Sequence, residues 1–263
     1  MFIQRFVFVV ATMTAIVATA ACTPPVEPLT IQTTTQELPL HESARGESTP
    51  ASPAVEEWIK AKGLQIGEAN AKGLTLVHLA VRDGRVDALE WLKSQGADVN
   101  AQTVNGFTPM SIAAWKGHLE VMVWLREQGH DVNVPDVPPY GYTPMHDAAT
   151  QGRIDMMAWL KEQGADVNVG NDDGVTPMFL AALMGNIEAM AWLKEQGADV
   201  DARDDHGRTP MFAAAENSQV AAMEWLKAHG AEVNVTSHSG QTPLIGVTDL
   251  KTIRWLRANG VRK

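Results

Sequence analysis

The sequence predicts an all-α fold over residues 54–263, a helix–turn–helix solenoid, and three interlocked series predict it. Tryptophan recurs at Trp58, Trp91, Trp124, Trp159, Trp192, Trp225 and Trp255, at intervals of 33, 33, 35, 33, 33 and 30. Glycine follows each one five residues later, at Gly63, Gly96, Gly129, Gly164, Gly197, Gly230 and Gly260. Thr-Pro stands at 108–109, 143–144, 176–177, 209–210 and 242–243, each two residues after a glycine. A fixed period in this range marks supersecondary units that stack.

One unit reads from Gly106 to Val134. Thr108 can cap the open N–H groups of a first helix, and Pro109 at its first position loses no bond it would otherwise make. Met110, Ala113 and Ala114 give that helix a small apolar face, and Gly117 can close it in the left-handed conformation. A second helix spans about Leu119 to Gln128, with Val121, Met122 and Leu125 at helical spacing beside Trp124. Gly129 closes it, and a turn leads to the next Gly-x-Thr-Pro. Small alanines on the first helices (Ala148, Ala149, Ala181, Ala182) let neighbours approach closely, at roughly 8–10 Å between axes. No unit can bury its apolar face alone, so the stack is cooperative and needs ends. The tryptophans, at repeat spacing, are expected in the core, where truncation to alanine costs about 3–5 kcal/mol.

Gly141-Tyr142-Thr143-Pro144-Met145-His146-Asp147-Ala148-Ala149, Gly152 and Gly164-Ala165-Asp166-Val167-Asn168 resemble the ankyrin repeat nearly position by position. The resemblance covers Gly73 to the end, with a half-unit before it. It divides the domain into a half-unit 54–72, repeats 73–105, 106–140, 141–173, 174–206 and 207–239, and a C-terminal cap 240–263. It implies an ankyrin-type solenoid with β-turn or hairpin fingers at about right angles to the helices. Departures are visible. Lys93, Arg126, Lys161, Lys194 and Lys227 stand where the family prefers Leu, Gly73-Leu74-Thr75-Leu76 lacks the proline, and Ser218 replaces a helix-ending glycine. The last unit is short, as a capping repeat would be.

Residues 1–21 have the form of a secretory signal peptide. Arg5 precedes an uncharged run, Phe6 to Ala21, that ends in small residues. Thr19-Ala20-Ala21-Cys22 resembles the lipobox of bacterial lipoproteins, with Thr19 in place of the usual Leu. Cys22 is the only cysteine, and as the lipidated first residue it would anchor the protein to a membrane. Cleavage before Ala21 is the alternative. Residues 22–53 are rich in Thr, Pro, Ser and Glu and too poor in apolar surface to offset their ordering entropy, so they read as a disordered tether. The expected location is the periplasm, free or membrane-anchored through Cys22.

The net charge of -10 argues against a nucleic-acid partner, since phosphate binding needs clustered Lys and Arg. A single cysteine excludes a disulfide framework or a Cys-based zinc site within the chain. No Gly-rich phosphate loop, His-Glu-x-x-His or Gly-x-Ser-x-Gly occurs. No catalytic residue, metal or cofactor is therefore expected. His78 and His146 are expected to brace a turn. The row Asp98, Asp131, Asp166, Asp199 and Glu232 is expected to bond its own turns rather than calcium. Asp172, Asp173, Asp204 and Asp205 read as solvated turn residues.

In the ankyrin family partners dock on finger tips and on the exposed face of the first helices. Carried over by position, the tips here are Val104, Asn105 and Phe107; Pro139, Tyr140 and Tyr142; Asp172, Asp173 and Val175; Asp205, His206 and Arg208. The helix positions are Trp115 and Lys116, Thr150 and Gln151, Leu183 and Met184, Glu216 and Asn217. Large apolar residues at nominally exposed positions mark interaction surfaces. Phe107, Trp115, Lys116, Tyr140, Tyr142, Val175, Leu183, Met184 and Arg208 are therefore the candidate partner-binding residues, unless the aromatics only pack on neighbouring fingers. The expected function is a monomeric, non-catalytic protein–protein interaction scaffold of the cell envelope. An envelope structural or stress-protection factor with many weak clients is the alternative, and an enzyme built on finger carboxylates the third reading.

Overall fold

A computed structural model describes residues 50–136 and 140–262. The signal peptide, Cys22 and most of the tether, together with Pro139, lie outside the described residues. The unit from Thr49 to Lys263 holds twelve helices among the described residues, five pairs between a single helix at each end. Helix α1 spans Pro53–Lys62, α2 Leu76–Arg82, α3 Val86–Ser94, α4 Pro109–Lys116, α5 Leu119–Glu127 and α6 Pro144–Thr150. They are followed by α7 Ile154–Glu162, α8 Pro177–Met184, α9 Ile187–Glu195, α10 Pro210–Glu216, α11 Val220–Ala228 and α12 Leu250–Ala258. The boundaries within the expected second-helix span, Leu119 to Gln128, agree to one residue.

Threonines start the first helices as expected. Thr108 and Thr176 accept from the N–H groups of Ser111 and Phe179. Thr75 and Thr143 form reciprocal caps in which a histidine at the third helical position takes the part that Glu or Gln usually plays. Nδ1 of His78 accepts from the Thr75 N–H at 3.0 Å, and Nε2 reaches the Ala101 carbonyl at 2.8 Å. His146 repeats this with the Thr143 N–H at 3.1 Å and the Val175 carbonyl at 2.8 Å. Each ring thus ties a helix start to the next finger, a longer reach than bracing its own turn.

The first helices α2, α4, α6, α8 and α10 stack in chain order, each also against its own second helix. Ala80, Ala113, Ala114, Ala148, Ala149, Ala181, Ala182, Ala213 and Ala214 are fully buried along that stack, so backbones approach closely. The second helices touch one another more sparsely, and α5 and α7, which flank the 35-residue interval, less than the second helices of the joints on either side. Polar side chains bridge this outer row. Lys93 bonds Gln128, Lys161 bonds Gln196, Lys227 bonds Asn259, and Lys194 donates to the His229 carbonyl at 3.3 Å. The lysines that replace the family's leucine therefore form a second set of inter-repeat contacts.

The tryptophan ladder needs a correction. Trp58 and Trp124 are buried, at 9% and 6% exposure, while Trp91, Trp159, Trp192, Trp225 and Trp255 are only half-buried. They lie over the outer row rather than inside the stack, because leucines such as Leu92, Leu160, Leu193 and Leu226 already fill the core positions beside them. Full truncation costs apply only where a side chain is enclosed.

The fingers are β-turns, and the described residues contain one isolated bridge, Ala69–Thr75. At five of the six tips a short polar side chain accepts from the N–H four residues on. Asn70 does so from Leu74, Thr103 from Phe107, Asn171 from Val175, Asp204 from Arg208 and Ser237 from Gln241. Single backbone bonds join neighbouring fingers, Asp172 N–H to Tyr140, Asp205 to Asp173 and His238 to His206. Further out, Asp98, Asp131, Asp166 and Asp199 each accept from the N–H two residues on at 2.9 Å, as turn chemistry requires. At the C-terminal end the first helix of the last unit is reduced to a turn over residues 243–246, so α12 is a lone second helix against α11.

Candidate functional site: the finger and first-helix surface

The candidate residues fall at the two ends of the first helices. Phe107, Tyr140, Tyr142, Val175 and Arg208 belong to the fingers that feed the helix starts. Trp115, Lys116, Leu183 and Met184 sit where α4 and α8 end, about one helix length away (~12 Å for eight residues). The expected exposure holds for some and fails for others. Trp115, Lys116, Tyr140, Met184 and Arg208 keep part of their side chains in solvent. Phe107, Tyr142, Val175 and Leu183 are buried, at 7%, 9%, 3% and 5% exposure. The cause is local. Phe107, Tyr142 and Val175, each directly before a Thr-Pro, turn inward with their fingers, and Leu183 lies on α8, which packs against both α6 and α10.

Tyr140 and Tyr142 stack at 6.0 Å, and Tyr142 meets the His146 ring edge-on at 5.6 Å. The outer tyrosine thus rests on a buried one that is itself pinned to the capping histidine. Burial pushes the Tyr142 phenol up, reinforced by Asp173 and Asp147, and pushes His146 down to about 4. Both stay neutral at physiological pH.

Arg208 lies over the Phe179 ring at 5.5 Å and pairs with Asp204 at 2.6 Å, with Glu216 at 4.0 Å. Asp204 was expected in solvent. It is 3% exposed because it receives the N–H groups of His206 and Arg208 as well as the guanidinium. At the other end, burial pushes the Lys116 amine down, and the neighbouring Arg82 and Arg153 add to the effect.

Sequence reading missed a buried acidic pair beside this surface. Asp136 stands at the tip position of the third finger, yet it accepts from the Thr108 N–H of the preceding unit at 3.0 Å. Asp147 lies on α6. They are 4% and 5% exposed, and one carboxyl oxygen of each has no hydrogen-bond partner among the described residues. The Ser111 hydroxyl lies beside both and offsets part of the effect of their burial. Burial pushes Asp136 up to about 7; burial, and then the charge of Asp136, push Asp147 well above the usual carboxylate range. Burial and like charge both disfavour ionising the two together. The signal available in the sequence was Asp136 itself, aligned with Asn70, Thr103, Asn171, Asp204 and Ser237 but followed by the Pro138-Pro139 insertion.

Among the described residues no group of three or more His, Cys, Asp or Glu is placed to hold a metal ion. No helix there is long and apolar enough to cross a membrane.

A helical-hairpin stack with histidine-braced β-turn fingers defines a class of repeat proteins, and family comparison names it. The model described as ankyrin repeats in three copies matches residues 40–136 and 145–237. A second, ankyrin repeats in many copies, matches residues 116–160. The chain belongs to the ankyrin repeat family. Such repeats are in general protein–protein interaction modules and typically non-catalytic, and no enzymatic family is indicated. No curated protein matches the chain.

Proposed function

We propose that this protein is a non-catalytic interaction scaffold of the bacterial cell envelope that holds a protein partner on the face formed by its fingers and first helices. One observation carries the reading. Trp115 and Tyr140 in repeat 106–140 and Met184 in repeat 174–206 present partly exposed apolar surface, with Arg208 in the repeat that follows. Aromatic and arginine anchors of this kind dominate interface energies. Buried neighbours hold them in place, Tyr142 beneath Tyr140 and Phe179 beneath Arg208. Preorganised anchors lose little entropy on binding. A face spanning several repeats can bury roughly 800 Å² per partner, a standard interface. The envelope location rests on the Phe6–Ala21 run and on Cys22 directly after small residues.

The test is the double variant Trp115→Ala and Tyr140→Ala, which leaves buried Phe107 and Tyr142 in place. It should keep its helical circular dichroism and lose affinity for the partner captured by the wild type from an envelope extract, by tenfold or more for two anchor residues (~1–2 kcal/mol each). Unchanged affinity would refute the surface. Heterogeneous, salt-sensitive capture without one stoichiometric complex would favour a protective factor with many clients. Labelled fatty acid appearing on the wild type and not on Cys22→Ala would establish the anchor.

A further inference from the structure

All 31 acidic side chains of the chain lie before Leu250, whereas Lys251, Arg254, Arg257, Arg262 and Lys263 lie after it. The structure puts the first four of these basic residues at one end of the stack. Helix α12 turns Thr252 and Leu256 inward, and its opposite side carries Leu250, Arg254 and Arg257 at spacings of four and three, with Lys251 beside them. All four are exposed, as is Arg262. None of these cations forms an ion pair among the described residues, where Lys62, Arg82, Arg85 and Arg208 all do.

Two large apolar side chains stand with them. Leu250 is 67% exposed, and Ile245, in the turn that replaces the missing first helix, is 52% exposed. An end unit needs a polar outer face for solubility, and cations favour a helix C-terminus. Asp249, which caps the start of α12, is the one carboxylate beside these cations, and neither requirement explains their excess together with protruding leucine and isoleucine. That combination is what an interfacial helix uses, cations for anionic headgroups and apolar side chains for the acyl boundary.

We propose that the outer face of α12 docks on an anionic lipid surface and sets the stack end-on to it. A membrane suits this face better than an acidic peptide, because Leu250 and Ile245 protrude beside the cations as side chains do that enter the acyl boundary. The rest of the chain, which carries the net negative charge, is repelled by the same lipids. Orientation therefore follows from the charge asymmetry. The inference is independent of the partner surface described above.

Co-sedimentation of the full chain with phosphatidylcholine vesicles, with and without phosphatidylglycerol, tests it. The apolar Phe6–Ala21 run partitions into both vesicle types, so the difference between them reads charge. The wild type should prefer the phosphatidylglycerol vesicles, and the preference should shrink as salt is raised. Lys251→Glu, Arg254→Glu and Arg257→Glu together should lower that preference at least ~tenfold. Leu250→Ser alone should lower it less. Lys161→Glu, Lys194→Glu and Lys227→Glu, the same charge change on the outer row, should leave it largely intact. Equal binding to both vesicle types, equal loss in the two triple variants, or a protein ligand lost from the α12 variant without any lipid preference would overturn the proposal.

Discussion

Ser218 ends α10 where Gly84, Gly117, Gly152 and Gly185 end the equivalent helices, and it adopts the same left-handed backbone, with φ of 56°. It is the one non-glycine residue with positive φ among the described residues, a conformation that costs an L-residue roughly 1–2 kcal/mol. Part of that cost returns when glycine's extra freedom in the unfolded chain is counted. Ser218→Gly should therefore raise stability by about 0.5–1 kcal/mol, read as a higher urea midpoint with unchanged slope. A lower midpoint would mean the serine makes a compensating contact. At the same scale, His146 shows how much one side chain decides. Its two ring nitrogens close a helix start and hold the next finger, and burial keeps it neutral.

The joint between α4, α6 and the third finger is built differently from the others. Every other described tip residue bonds within its own finger, whereas Asp136 crosses to Thr108 and meets Asp147 and Ser111. Folding raises the pKa of Asp136 to about 7, so the folded state holds more protons than the unfolded one above pH ~4. The stabilisation is complete below the unfolded pKa and fades as pH rises through about 7. His146, held low, acts in the opposite sense between about 4 and its ordinary 6.5, gaining stability as pH rises. A variant separates the two. Asp147→Asn, which removes one ionisable member and keeps the shape, should gain stability relative to wild type from pH 6 to 9, by on the order of a few kcal/mol at the upper end. A constant difference across that range would show that the pair is not protonated in the fold. The measurement is the denaturation midpoint of both proteins at each pH.

At the scale of the whole stack, stability is distributed by neighbours. Each central first helix is enclosed by two others, while α1 and α12 each have a neighbour on one side only among the described residues. Nearest-neighbour coupling makes terminal units open first. Hydrogen exchange should be fastest in α1 and α12, slowest in α6, α8 and α10, and faster in α5 and α7 than in α9, because their mutual contact is thin. Uniform protection along the array would show one cooperative block instead. The proposed lipid-binding end coincides with α12, so vesicles carrying phosphatidylglycerol should slow exchange there first.

Local chemistry was sufficient for the architecture. Thr-Pro starts, glycine ends, the apolar spacing between them and the 33-residue period are satisfied within a unit and its neighbour, so the paired helices of the repeats and the turn-bonding Asx row were legible before any coordinates, whereas Thr242-Pro243 starts only a turn. Exposure was not. Whether Phe107, Tyr142 and Leu183 face solvent or the next repeat depends on how closely two units approach, and that distance is set by alanines on another helix. The same holds for Asp204, which looked like a solvated tip and is buried under Arg208, and for the half-buried tryptophans of the outer row. Asp136 and Asp147 stand eleven residues apart across the Pro138-Pro139 insertion. Only the folded stack brings their carboxyls together, since burial and like-charge proximity belong to the packed arrangement and to neither residue alone.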